Sequence, residues 1–143
     1  MSWSREQVLA FLAEEVRLGR LATVSADGQP HVVPIWFEVA GDDLHVHTSA
    51  ESRKARNIAA TGRFAITVDT ELMPYKGVSI QGAARVATND EIDSLALARR
   101  LALAYAGPEV GPGFGEAIAG MPYEHVTLVL SPEGWEAWDF SQA

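Results

Sequence analysis

The chain has 143 residues, 48% of them hydrophobic, and its 11 Lys and Arg against 19 Asp and Glu give a formal charge of −8. This length fits one domain and the apolar content is enough for a continuous core, which excludes a wholly disordered chain, while the negative charge repels a polyphosphate backbone and argues against nucleic-acid binding. The chain has no cysteine, which excludes disulfides, thiolate nucleophiles and thiolate metal sites.

The first predicted element is an amphipathic helix over residues 4–18. Ser4 and Gln7 form a capping-box pattern at its start, and Gly19 is a stop signal at its end. Its apolar side chains recur at the three-to-four spacing of a buried helix face, at Val8, Leu9, Leu12 and Val16. No basic region followed by an apolar run precedes it, and no window approaches the apolar length of a membrane span, so we expect a cytoplasmic protein without a membrane segment.

After this helix the apolar spacing changes to the alternation of strands. Asp27-Gly28 is a strong hairpin signal between a strand over 21–24 and a β-rich run over 31–39. A third strand over 44–48 alternates apolar residues with histidines. Three consecutive strands joined by tight turns predict an antiparallel meander.

The second half of the chain predicts more helices and strands in alternation. In order they are a helix over 49–60, strands over 64–68 and 78–86, a helix from Thr88 to about Tyr105, a short helical piece over 116–119, and strands over 126–130 and 135–140. Ser49 or Ser52 caps the first of these helices and Gly62 ends it, whereas Thr88 with Glu91 forms a capping-box pattern for the second. The prolines and glycines over 108–113 are expected to break that second helix.

The predicted fold class is therefore α+β and mainly β, with six to seven antiparallel strands and flanking helices in a single domain over residues 1–143. So many strands in a small chain need closure to hide their edges, which favours a small barrel with helices at its ends. An open α+β sandwich is the alternative.

The segment over 48–57 is the most informative one for chemistry. It places three of the eleven cations within four positions, where a strand end passes into a helix start. Cations there oppose the helix dipole unless an anion compensates them. Ser52 offers a hydroxyl, Arg53 a planar two-point contact and Lys54 a compact charge, which together suit a phosphate. The alternative is a solvated basic turn paired with Glu51 or with acidic groups elsewhere on the surface.

An ordered set of segments resembles the pyridoxamine-5'-phosphate-oxidase-like, FMN-binding split-barrel superfamily. The segments are 19–24 (GRLATV), 27–31 (DGQPH), 34–37 (PIWF) and 52–58 (SRKARNI). Two later segments, 75–84 (YKGVSIQGAA) and 138–139 (WD), are similar to its actinobacterial branch of flavin and deazaflavin oxidoreductases, which use coenzyme F-420.

The resemblance implies a homodimeric split β-barrel with a flavin-type cofactor, coenzyme F-420 or FMN, in a groove between the two barrels. In the family's pattern the 52–54 turn grips the phosphate, the 47–48 strand end contacts the cofactor, the 34–36 strand runs beside the ring, and 76–77 approaches it from the neighbouring side. The cofactor-binding residues implied in this way are Pro34, Ile35, Trp36, His47, Thr48, Ser52, Arg53, Lys54, Lys76 and Gly77.

The function implied is transfer of a hydride from the reduced deazaflavin or FMN to a small planar or conjugated organic acceptor. Trp36, Tyr75 and Trp138 are predicted walls of the acceptor pocket, the alternative being that they pack in the core or at a dimer interface. No Arg or Lys follows Arg100, whereas pyridoxamine-phosphate oxidases end with an arginine-containing segment, so oxidation of vitamin B6 phosphates is not expected.

Other functions remain as alternatives. They are an FMN enzyme of the same fold that uses nicotinamide or oxygen, a non-catalytic flavin or haem carrier, and a structural dimer. His45 and His47 share a strand face, with His31 or His125 as a third candidate ligand, but the spacing forms no compact motif and we predict no metal site. The glycines over 111–115 follow a helix and include a proline, so we interpret them as a connector and not as a nucleotide loop.

Overall fold

A computed structural model describes residues 2–142, which form one seven-stranded sheet with three α-helices and a closing 3-10 turn. In chain order the elements are α1 (Arg5–Glu14), β1 (Gly19–Val24), β2 (Pro30–Ile35), β3 (Glu38–Ala40), β4 (Asp43–Ser49), α2 (Arg53–Thr61), β5 (Arg63–Asp69), β6 (Lys76–Thr88), α3 (Ser94–Ala119), β7 (His125–Asp139) and the 3-10 turn (Phe140–Gln142).

The sheet is antiparallel throughout, with the strand order β2-β1-β5-β6-β7-β4-β3. β2 and β3 are the two outermost strands, yet only Trp36 and Phe37 separate them in the chain. Two residues can bridge no more than about 10 Å, so the sheet curls until its outer strands are neighbours. The predicted six- to seven-stranded split barrel with flanking helices is confirmed, and the open sandwich is excluded.

The inner face of the barrel is filled by alternate residues of the strands. β4 and β5 bury every second side chain, as the period of two requires. The fully buried side chains include Leu44, Val46, Ile66, Val68, Val78, Ile80, Leu128 and Leu130. Burying each such side chain contributes about 1.5 to 3 kcal/mol, so the hydrophobic effect holds the closed sheet. α1 adds Val8, Phe11 and Leu12 to the same core.

The predicted meander of the first three strands is wrong. β1 and β2 form the hairpin expected at Asp27-Gly28, but the β-rich run over 31–39 is not one strand. It divides at Trp36 and Phe37, and its two halves continue to opposite edges of the sheet, where β3 forms its hairpin with β4. Residues 32–37 are all apolar, so the sequence pattern did not show the break.

Helix α1 begins as predicted and ends four residues early. The Ser4 and Gln7 side chains form both hydrogen bonds of the capping box. The backbone at Glu15 is already extended, with φ −145° and ψ 156°, and the Arg17 guanidinium donates to the Phe11 carbonyl at 3.1 Å. The Arg17 side chain thus satisfies a terminal carbonyl that another helical turn would have paired. Because the helix ends before Val16, that side chain is 57% exposed instead of lying on the buried helix face.

The third helix departs from prediction at its start and in the length of helix that follows its break. It begins at Ser94, capped by the Asp93 carboxylate, which accepts the Ala96 N–H at 2.9 Å, so the predicted Thr88 cap is wrong. The predicted end near Tyr105 is confirmed by the non-helical backbone at Gly107, but the helical piece predicted over 116–119 is longer than expected. The chain bends at Gly107, with φ 88° and ψ 173°, and a second helical segment then runs to Ala119. Pro108 is tolerated because the first position of a helical segment needs no N–H donor. Within residues 2–142 no helix combines the length and apolar character needed to cross a membrane.

The remaining elements agree with prediction in position and differ in continuity. The helix predicted over 49–60 is α2, capped by Ser52 and not by Ser49, and it ends at Gly62 as expected. The two closing strands predicted over 126–130 and 135–140 are one strand, β7, which pairs with β6 along its whole length across an irregularity in register at Gln81/Gly82. The proline and glycine between them therefore do not interrupt the strand.

Candidate cofactor site

A cavity of about 510 Å³ opens where the ends of β2 and β4 meet α2 and α3. This volume lies within the range of small-molecule sites, roughly 300 to 1,000 Å³. Six predicted cofactor residues line it: Pro34, Ile35, Trp36, His47, Thr48 and Lys54. The other lining residues are Leu18, Ser49, Ala98, Leu101, Ile118 and Tyr123. One wall is therefore largely apolar, and the polar groups are gathered at the β4 to α2 junction.

The junction is fixed by the Ser52 hydroxyl. This hydroxyl accepts the Ala55 N–H at 3.3 Å as the helix cap, and it accepts a hydrogen bond from the Thr48 hydroxyl at 3.0 Å. The end of the strand is thus tied to the start of the helix. Ser52 can still donate its own proton to a ligand, because both bonds use it as the acceptor.

The first turn of α2 carries unpaired positive charge. It contains no acidic residue, and the side chains of Arg53, Lys54 and Arg56 make no ion pair or hydrogen bond within residues 2–142. Six arginines elsewhere do form ion pairs with carboxylates: Arg17, Arg20, Arg63, Arg85, Arg99 and Arg100. The predicted alternative, a basic turn paired with Glu51, is therefore not the arrangement that forms.

Lys54 is the half-buried member of this group. Burial lowers the pKa of its amine, because the charged form is desolvated and no counterion compensates it. An anion placed in the cavity beside the amine would supply that counterion. The amide groups at the start of α2 also favour a negative charge there. An anionic group at this junction would therefore be electrostatically favoured.

His47 lies next to Lys54 and is held neutral. Burial is the main cause that lowers the pKa of His47 to about 4, and the neighbouring His125 and Lys54 add to the shift. Its Nε2 lies 2.9 Å from Nδ1 of His125, and the Tyr123 ring packs on His125 with centroids 4.4 Å apart. Sequence reasoning named His47 but missed Tyr123, since nothing in the periodicity signals a tyrosine in a connecting turn.

Trp36 both lines the cavity and packs within the fold. Its ring stacks on Tyr105 at a centroid distance of 5.1 Å and meets the edge of Phe114 at 5.7 Å. Trp36 therefore packs within the fold while one part of its ring lines the cavity, and its role as a wall for the acceptor stays a prediction. The contribution of α3 to the site was missed by sequence reasoning, because its residues lie more than fifty positions away along the chain.

Several other predicted site residues do not line this cavity. Arg53 lines a separate depression of about 420 Å³ with His31 and Arg56. Lys76 lines two further cavities, and its Nζ lies 5.5 Å from the centre of the Phe11 ring.

Tyr75, Gly77 and Trp138 also lie away from the cavity that contains Trp36. Tyr75 is 41% exposed. Gly77 pairs with Trp138, and a Cβ at Gly77 would come within 2.8 Å of the Trp138 ring, so only glycine fits there. One chain does not bring Trp36, Tyr75 and Trp138 into a single pocket.

Comparison with known proteins agrees with this fold. A family model described as pyridoxamine 5'-phosphate oxidase matches residues 4–139. The chain is 44% identical over 55 residues to a Streptomyces rimosus 5a,11a-dehydrotetracycline/5a,11a-dehydrooxytetracycline reductase, a match that covers 36% of this chain and only 39% of the reductase.

Solved structures of similar shape cover nearly the whole chain. The conserved hypothetical protein Rv2991 of Mycobacterium tuberculosis superimposes with a TM-score of 0.74 at 24% identity, over 98% of this chain and 87% of that one. An F-420 reductase gives 0.70 at 26% identity, over 89% and 94%. HutZ, a heme storage protein of Vibrio cholerae, gives 0.69 at 18% identity, over 88% and 87%, and this likeness shows the fold alone. The chain belongs to the pyridoxamine 5'-phosphate oxidase family of split-barrel proteins.

Proposed function

We propose that this protein is an oxidoreductase that binds a flavin-type cofactor, coenzyme F-420 or FMN, in the cavity beside α2. Its reduced cofactor would transfer a hydride to a small planar or conjugated organic acceptor. The observation that carries the proposal is the half-buried Lys54 amine, which faces a ligand-sized cavity without a counterion. Such an amine is unfavourable in the empty protein and favourable once an anionic tail lies beside it.

The residues present fit such a cofactor. Lys54 and the Ser52 hydroxyl can bind the phosphate, and the amide groups of the first turn of α2 add to the attraction. The Pro34–Trp36 wall offers an apolar surface for a planar ring. When bound, the reduced ring supplies the hydride, while the protein supplies placement and exclusion of water. Ile35 and Leu101 are both buried and line the cavity, so they keep water from that wall.

The relatives support a reductase, and they favour the deazaflavin. One relative is a reductase by name at 44% identity over its matched segment, and one similar structure is an F-420 reductase. The finer assignment to F-420 over FMN is part of the proposal, because both cofactors present a phosphate and a tricyclic ring to the same junction.

We also propose that the working form is a homodimer. Four apolar side chains near the Lys76 end of the barrel are exposed, at 82% for Leu72, 76% for Met73, 41% for Tyr75 and 57% for Phe140. Contiguous apolar surface of this kind is characteristic of interfaces. A second copy docked there would cover these side chains.

A side-by-side titration with the two cofactors tests the binding step. We expect coenzyme F-420 to bind and to raise the unfolding temperature by mass action, with FMN binding more weakly or not at all. Oxidation of the reduced cofactor by conjugated organic acceptors, followed by absorbance, tests the catalytic step. Binding without turnover for any acceptor would indicate a carrier, and failure of both cofactors to bind would overturn the proposal.

A further inference from the structure

The two histidines beside the cavity form a hydrogen-bonded chain that ends on a backbone carbonyl. His47 Nε2 lies 2.9 Å from His125 Nδ1, and His125 Nε2 lies 2.9 Å from the Met121 carbonyl oxygen. His47 belongs to β4 and His125 to the first position of β7. The pairing of Ser49 with His125 in the sheet fixes the two backbones relative to each other.

The carbonyl at the end of the chain decides where the protons lie. A carbonyl oxygen can only accept, so His125 Nε2 carries a proton and donates it to Met121. In the neutral ring the other nitrogen, His125 Nδ1, then carries none and must accept. The proton shared by the two rings therefore belongs to His47 Nε2, and in a neutral His47 this leaves Nδ1 as a bare acceptor.

That acceptor is open to a ligand. His47 lines the cavity, and its Nδ1 has no hydrogen-bond partner within residues 2–142. It is also not among the buried polar atoms that lack a partner, a state found within the described residues only at His31 Nδ1. An accessible lone pair beside the Lys54 amine is thus presented to whatever occupies the cavity.

We propose that His125 is a positioning residue that fixes the Nε2-protonated form of His47, so that His47 Nδ1 accepts a hydrogen bond from an O–H or N–H group of the bound ligand. The proposal rests on the proposed function in that the ligand is the flavin-type cofactor, whose hydroxyl chain offers such donors next to the phosphate. Lys54 selects the anionic end of the ligand, and His47 selects a donor next to it.

The surroundings of His47 favour the neutral form that this role requires. Burial disfavours a positive charge on the ring, and the amine of Lys54 on α2 faces it as a like charge. His125 on β7 faces it as the hydrogen-bond acceptor and adds a like charge only when it is itself protonated. Tyr123 packs against it, with ring centroids 6.3 Å apart. Protonation of His47 at acid pH would remove the acceptor and place a second cation beside Lys54.

Nitrogen-15 NMR of the histidine rings in the ligand-free protein tests the positioning step without any cofactor. At neutral pH we expect one His47 form, with a pyrrole-like Nε2 and a pyridine-like Nδ1, and a scalar coupling across the hydrogen bond to His125 Nδ1. In His125→Phe, which keeps a ring but offers no acceptor, a second form with protonated Nδ1 should become detectable. His125→Asn restores an acceptor oxygen close to the lost Nδ1 and should restore the single form.

Titration of the same variants with coenzyme F-420 or FMN tests the ligand step. We expect His125→Phe to weaken binding by roughly three- to tenfold, the size of one net hydrogen bond, and His125→Asn to recover most of it. A protonated Nδ1 in the wild type, or an unaltered His47 in His125→Phe, would overturn the positioning role. Unaltered affinity in a variant with an altered His47 would overturn the acceptor role. Absence of binding in the wild type would instead count against the proposed function, and the NMR result would still decide the positioning role.

Discussion

Tyr105 on α3 stacks on Trp36 with 11° between the ring planes, and its hydroxyl receives the Phe37 N–H at 3.1 Å while donating to the Arg17 carbonyl at 2.7 Å. Trp36 and Phe37 are the two residues that connect the outer strands of the sheet. Tyr105 therefore fixes the two-residue connection between β2 and β3, and it supports the Trp36 ring that lines the cavity.

Removing only the Tyr105 hydroxyl should lower the free energy of unfolding while the aromatic ring still supports Trp36. In Tyr105→Phe the Phe37 N–H and the Arg17 carbonyl each lose a part-buried partner, and we expect the free energy of unfolding to fall by about 1 to 3 kcal/mol. Tyr75→Phe is the matched control, since the Tyr75 hydroxyl makes no hydrogen bond within residues 2–142. Denaturant unfolding of both variants measures the difference, and equal stabilities would contradict the role of the hydroxyl.

The bend in α3 makes a second prediction about stability. At Gly107, φ of 88° with ψ of 173° is a conformation open essentially only to glycine. Gly107→Ala should therefore lower the free energy of unfolding by about 1 to 3 kcal/mol. Gly113→Ala lies in the same helix with an ordinary φ and open space around it, so it should be neutral or stabilising by about 0.5 to 1 kcal/mol. Thermal unfolding of the pair decides, and a loss of equal size in both would show that the bend is not strained.

The parts of the fold that could be predicted are those that nearby residues determine. The period of two located the strands, and the glycine and cap residues located α2, because burial and orphan amides act over a few residues. The path of the chain after Ile35 could not be predicted, since closure of the barrel depends on Tyr105, about seventy residues later. The end of the first helical segment of α3 could be predicted, because prolines and glycines end helices. The full length of the second segment could not, because it depends on packing against the first: a Cβ at Gly111 would lie 2.7 Å from Leu103 Cα.

Some parts of the candidate site could likewise be predicted from local sequence patterns and others could not. The position of the basic turn at the start of α2 could be predicted because its serine and cations are close together in the sequence, whereas its binding of an anion stays a prediction. The hydrogen bond from His47 to His125 could not, because it joins residues 78 positions apart across two strands. The family resemblance supplied Lys76 and Gly77, which one chain leaves away from the cavity.

The low pKa of His47 predicts a dependence of stability on pH. The unfolded chain binds a proton at this residue near pH 6.5, whereas the folded protein binds it only near pH 4. Stability should therefore be lost as pH falls from 6.5 to 4, and it should be regained as pH rises through the same window. Because His47 is only about half buried, water screens part of the effect, and we expect on the order of 1 to 2 kcal/mol.

His47→Gln removes the titrating ring and should remove this part of the acid destabilisation. Urea unfolding of the wild type and the variant at a series of pH values measures it. A variant whose stability falls as steeply with acid as that of the wild type would show that other groups cause the loss.

Replacing Lys54 tests the anion site directly. Lys54→Ala should weaken cofactor binding by roughly ten- to more than a hundredfold, since a hydrogen bond to a charged group contributes about 1.5 to 3 kcal/mol. Arg63→Ala is the matched control, because it removes the same charge from an exposed ion pair with Glu133. Equal affinities in the two variants, measured by fluorescence titration, would remove Lys54 from the site.

The lowered pKa of Lys54 predicts that this affinity depends on pH. A bound phosphate stabilises the protonated amine, so binding should weaken as pH rises through the lowered pKa of Lys54. Lys54→Arg keeps its charge at any accessible pH, and its affinity should stay flat where that of the wild type falls. Parallel curves for the two proteins in a titration series would rule out Lys54 as the titrating group.

A crystal structure of the protein with coenzyme F-420 or FMN bound is the most direct measurement of the central claim. We expect the phosphate within hydrogen-bond distance of the Lys54 amine and the ring against the wall formed by residues 34–36. A cofactor bound at another surface, with only solvent beside Lys54, would contradict it.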